Sequence, residues 1–76
     1  MTLRLVGPRV LRVHWQRGPA SYDVVLERLT GGRWTAGPHA EVLTHVWTVQ
    51  VTAGTWRVLV TPDGGQPWTT QSVTVR

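Results

Sequence analysis

The chain is 76 residues long, carries a formal net charge of +4 and contains no cysteine. Such a length holds one domain, residues 1–76, near the lower limit at which a single hydrophobic core sustains itself. The missing thiols exclude disulfides and thiolate metal sites, and no stretch approaches the ~18 apolar residues of a membrane-spanning helix.

Residues 2–6 predict a short first strand, stopped by Gly7-Pro8 because proline has no N–H to give to a ladder. Residues 10–16 predict the second. Here Leu11, Val13 and Trp15 alternate with Arg12, His14 and Gln16, so the apolar set points inward and the polar set outward. Arg17-Gly18-Pro19-Ala20 has the composition of a turn. Residues 22–29 predict a third strand with Tyr22, Val24 and Leu26 on one face and Asp23, Val25 and Glu27 on the other. Thr30-Gly31-Gly32-Arg33 matches a glycine hairpin leading into a short fourth strand that carries Trp34.

Ala36-Gly37-Pro38-His39 reads as a break. The longest apolar run follows over 42–51, with Trp47, Val49 and Val51 as its alternating part. Thr52-Ala53-Gly54 is a tight connection into a strand over 56–61, where Trp56, Val58 and Val60 share a face. The loop Pro62-Asp63-Gly64-Gly65-Gln66-Pro67 precedes a last strand over 69–75. Seven short strands with frequent turns predict an all-β fold, a small antiparallel β-sandwich.

Lys, Asn, Ile and Phe are all absent, whereas Arg, Val, Thr, Gly and Trp are plentiful. The absent types have AT-rich codons, which points to a GC-rich genome and makes the eight arginines ordinary stand-ins for lysine. A calculated pI near 11.5 suits a nucleic-acid binder. The arginines are dispersed along the chain with no two adjacent, the pattern of a solvated surface. The N-terminal residues enter strand patterning at once, without the apolar core of a signal peptide, so cytoplasmic synthesis is expected.

In this order the elements resemble a fibronectin type III domain, a two-sheet relative of the immunoglobulin fold. The resemblance lies in Leu11-x-Val13-x-Trp15, in Tyr22-x-Val24 and in the hairpin ending at Trp34. It is strongest over Trp47-x-Val49-x-Val51-Thr52-Ala53-Gly54-Thr55-Trp56-x-Val58-x-Val60, and it covers roughly residues 3–75. Three departures stand out. Trp56 occupies the place of the family's tyrosine, which removes the usual tyrosine-corner hydrogen bond. Ala53 replaces a proline in a turn that is about one residue short. The first strand is abbreviated.

Chemistry is sparsely written. A nucleophile, base and orienting acid drawn from Ser21 or Ser72, a histidine and one of four carboxylates have no favourable spacing, so no enzyme is expected. His39, Glu41 and His45 lie close enough in sequence to be weighed as metal ligands, but polar residues at strand edges account for them. Neither a metal nor a cofactor is expected. The glycine pairs look like turn glycines rather than a phosphate cradle.

Five tryptophans are many for one small core. Trp15, Trp47 and Trp56 fall on inward positions, whereas Trp34 and Trp68 lie beside turns, where an indole can anchor a partner or stack on a sugar or base. With Asp63 in its loop and the outward-facing Arg12, His14 and Arg57, they form the candidate interaction surface. The resemblance implies a non-catalytic docking or structural module of a larger protein or homo-oligomeric assembly. With no export signal expected, the matching setting is an accessory protein of a bacteriophage particle, a decoration or tail component. The alternative is a module that binds carbohydrate or nucleic acid through Trp34, Trp68 and the arginines.

Overall fold

A computed structural model describes residues 2–16 and 21–76. The turn expected at 17–20 lies outside the described residues. Among those described there is no helix. The strands are β1 (Thr2–Gly7), β2 (Val10–His14), β3 (Tyr22–Thr30), β4 (Arg33–Val42), β5 (Val46–Gln50), β6 (Gly54–Pro62), β7 (Trp68–Thr69) and β8 (Val73–Val75). They form two antiparallel sheets. One has the order β1-β2-β5, the other β4-β3-β6-β7 with β8 also paired to β6.

Alternation placed the faces as expected. Leu3, Leu11 and Val13 from the first sheet and Tyr22, Val24, Leu26, Val58 and Val60 from the second are buried in one cluster, which Trp15 and Trp56 complete. Trp15, just beyond β2, meets Tyr22 at the start of β3 edge-on, with ring centroids 5.0 Å apart. Trp47 and Val49 are only half-buried and pack against the cluster from β5. Each large side chain withdrawn from water contributes roughly 1.5–3 kcal/mol, which is how so short a chain offsets its conformational entropy.

Eight strands replace the expected seven, because the last one is interrupted. Thr69 lies opposite Leu59 and Val73 opposite Trp56, so three residues of this edge face two of β6. The extra residue is absorbed at Thr70. Its N–H donates to Val58 O at 2.9 Å, and its Oγ1 accepts from Val58 N at 3.0 Å, standing in for a backbone carbonyl. Gln71 is turned toward the other sheet, where its Nε2 donates to Leu3 O at 2.8 Å.

The expected break at Ala36-Gly37-Pro38-His39 is instead the middle of β4, a ten-residue strand. Val25 pairs with His39 and Glu27 with Ala36, leaving Gly37 and Pro38 opposite Leu26. This is a β-bulge on the outermost strand, where a proline sacrifices no ladder bond. Glycine eases the close approach at the first bulge position, since a Cβ there would lie 3.2 Å from Leu26 O. The expected run over 42–51 is likewise divided: Val42 ends β4, and a bend at 43–45 precedes β5.

Two connections show how the sequence sets the register. Thr30 pairs with Arg33 across Gly31-Gly32, whose φ angles of 58° and 80° demand glycine in a two-residue hairpin. Between β5 and β6, the Trp56 Nε1 donates to Thr52 O at 3.0 Å, and Arg28 Nη2 donates to Ala53 O at 3.1 Å. The indole thus supplies a bond from the start of one strand back to the preceding connection.

Candidate functional site

Directly paired residues of neighbouring strands share a face, so the register assigns each candidate side chain to a surface. On the outward face of the larger sheet, Glu27 of β3 lies opposite Arg57 of β6, and Leu29 of β3 opposite Trp34 of β4. Arg57 Nε donates to Glu27 Oε1 at 2.7 Å, a charge-assisted bond and the single ion pair among the described residues. Its guanidinium lies over the Trp34 ring, 4.3 Å from the centroid. Glu27 therefore holds the arginine, and the arginine holds the half-buried indole, a stack that adds cation–π attraction. Leu29 beside it is 40% exposed. Trp34 and Arg57, singled out separately in the sequence, form one unit here.

Trp68 does not join them. It pairs with Val60, whose side chain is buried, so it stands on the inward face of the same sheet at its margin, 39% exposed. Asp63 is also apart, in a tight turn closed by Gly65 N–H donating to Pro62 O at 3.0 Å. Gly64 takes φ 72° as the third residue, as a type II turn requires. The Asp63 N–H donates to Ser21 O, which ties the turn to the start of β3.

Arg12 and His14 lie on the outward face of the smaller sheet. There the structure adds a residue that sequence reasoning missed: Arg4 is directly opposite Arg12. Thr2, Arg4, Val6, Arg12 and His14 line a shallow depression of about 340 Å³. Arg12 Nε donates to Thr48 Oγ1 at 3.2 Å, and the His14 ring meets His45 edge-on at 5.0 Å. Two arginines eight positions apart look dispersed in the sequence. Counting outward from the turn sets Arg4 opposite Val13; the register shift between Leu5 and Gly7 brings it opposite Arg12 instead.

The weaker chemical candidates stay scattered. His39 and Glu41 lie on β4, while His45 packs against His14, and no three metal-ligating side chains gather among the described residues. A second depression, of about 410 Å³, opens between Pro38 of β4 and Gln50 of β5 above Leu26, Val51 and Trp56. Thr52 also lines it, and no acid or base does. The comparisons with known proteins are empty: no protein family, no curated protein and no solved structure matches the chain.

Proposed function

We propose that the chain is a non-catalytic docking module, a fibronectin type III-like β-sandwich that attaches to a larger protein assembly. Two features support the sandwich reading. The first, second and fifth strands share one sheet while the third, sixth and last share the other, a partition that immunoglobulin-like sandwiches use. The bond from Trp56 Nε1 to Thr52 O runs from the start of a strand to the backbone just upstream, the course of a tyrosine corner. The particle setting, a bacteriophage capsid or tail, rests on the resemblance.

The observation that carries docking is the Trp34–Arg57–Glu27 stack. Binding hot spots are enriched in Trp and Arg, and an anchor already held in place loses little entropy on association. Leu29 extends the apolar contact beside it.

The test is the native mass of complexes recovered from cells that make the protein. The full chain is expected to travel with protein partners at fixed stoichiometry, and Trp34→Ala to release it while the fold survives. A wild-type chain recovered only as free monomer overturns the reading. Quenching of tryptophan fluorescence by an oligosaccharide, lost in Trp68→Ala, would favour the carbohydrate alternative instead.

A further inference from the structure

Three of the four carboxylates stand at one end of the larger sheet. Asp23 of β3 lies directly opposite Glu41 of β4, both exposed, and Asp63 is tied to the same end through its bond to Ser21. The fourth, Glu27, is occupied by Arg57. Among the described residues no cation forms an ion pair with Asp23, Glu41 or Asp63. On the smaller sheet the situation is mirrored in sign. Arg4 and Arg12 are directly opposed and exposed, His14 stands on the same face, and that face carries no carboxylate.

Like charges directly opposite one another destabilise a sheet, so each pair works against the fold of the single chain. Each is built on two adjacent antiparallel strands, which gives both the same spacing of roughly 5 Å between opposed Cβ atoms. A pair of arginines and a pair of carboxylates rooted at matching spacing are complementary in charge, and the Arg12 Nη nitrogens have no hydrogen-bond partner among the described residues beyond the Nε bond to Thr48. We infer that the chain associates with copies of itself head to tail, the Arg4–Arg12 pair of one copy docking on the Asp23–Glu41 pair of the next. A foreign anion would satisfy the arginines and leave the acidic pair unaccounted for, whereas a second copy uses both. Because the two surfaces are different, the contact is heterologous, and it propagates into a ring or an open stack. The inference rests on the chain being a docking module, but it does not use Trp34.

Sedimentation velocity on the full chain tests it, at about 1 mM protein and about 20 mM salt, where exposed charges are weakly screened. Wild-type protein is expected to associate in a concentration-dependent way and to return to monomer in about 0.5 M salt. Arg4→Glu with Arg12→Glu, and separately Asp23→Arg with Glu41→Arg, should each weaken association about tenfold or more, since each creates like-charge contacts. Mixing the two double variants should restore it, because each then offers what the other lacks. If a reversed variant fails to fold, Arg4→Gln with Arg12→Gln and Asp23→Asn with Glu41→Gln replace it and should still weaken association.

Wild-type protein that remains monomeric at low salt overturns the inference, as does association indifferent to both sets of changes. Low-salt binding of single-stranded DNA through Arg4 and Arg12, without self-association, overturns it too and assigns that face to a nucleic acid. Partner binding that depends on Trp34 but survives both charge reversals removes this inference and leaves the docking reading standing. Self-association unaffected by Trp34→Ala, with no other partner recovered, does the converse.

Discussion

Trp34 and Trp56 are each covered by an arginine, yet the two arrangements serve opposite ends. Arg28 lies 5.5 Å from the centroid of the Trp56 ring, and Arg57 lies 4.3 Å from that of Trp34. Trp56 is only 7% exposed, its Nε1 satisfied by Thr52, and its arginine is fastened to the backbone at Ala53. Trp34 is on the outward face, and its arginine is fastened to a side chain, Glu27. The first arrangement closes a strand connection over the core. The second keeps a large apolar ring oriented at the surface, where a core has no use for it. The same residue pair thus closes the core or lies at the surface according to the face on which register places it.

That contrast predicts a graded set of losses. Trp56→Ala should cost about 3–5 kcal/mol of stability in denaturant unfolding, the usual range for emptying a buried aromatic site. Trp56→Phe keeps most of the ring and drops the donor, so about 1–2 kcal/mol is expected, with Thr52 O left without its partner. Trp34→Ala should cost about 1 kcal/mol in the same assay, since the indole is half-exposed and loses mainly its arginine contact. A Trp34 variant as unstable as the Trp56 one would erase the distinction. Glu27→Gln should cost only about 0.5 kcal/mol, because Arg57 and Glu27 remain 28% and 16% exposed and solvent screens them. Its clearer effect should be a loosened Trp34, seen as greater quenching of indole fluorescence by acrylamide. Smallest of all is Tyr22→Phe, expected within about 0.5 kcal/mol of wild type. The Tyr22 hydroxyl is buried with no hydrogen-bond partner among the described residues, so its removal leaves no group stranded.

Much of the fold was legible because a period of two is a strong local signal. Leu11, Val13 and Trp15 were assigned inward and are buried, as are Tyr22, Val24 and Leu26. The glycine hairpin at Gly31-Gly32 was legible for the same local reason, since both positions take positive φ. What sequence reading missed depends on neighbours. Gly37-Pro38 reads as a break unless β4 is known to be an outer strand. The interruption at Thr70 exists because a hydroxyl replaces a carbonyl opposite Val58, which no local pattern announces. The candidate surface was half legible. Trp34 and Arg57 were both chosen, but their union through Glu27 needs the β3–β6 register. In the sequence Trp68 resembles Trp34 because both lie beside turns, but pairing with Val60 sends it to the other face. The opposition of Arg4 to Arg12 depends on the register shift between Leu5 and Gly7, which hairpin counting alone does not supply.

The bulge at Gly37 and Pro38 also writes the two halves of β4 in opposite phase. Before it, even-numbered Trp34 and Ala36 share the outward face, paired with Leu29 and Glu27. After it, even-numbered Ala40 and Val42 turn inward beside Val24 and Tyr22, and odd-numbered His39 and Glu41 take the outside. An unbroken alternation would have sent either the indole or the carboxylate into the core. The bulge therefore lets Trp34 and Glu41 occupy a single surface although they stand an odd number of residues apart. Deleting either Gly37 or Pro38 would leave one residue opposite Leu26 and keep Glu41 beside Asp23 and Val42 beside Tyr22, so β4 would lose its bulge but not its two faces.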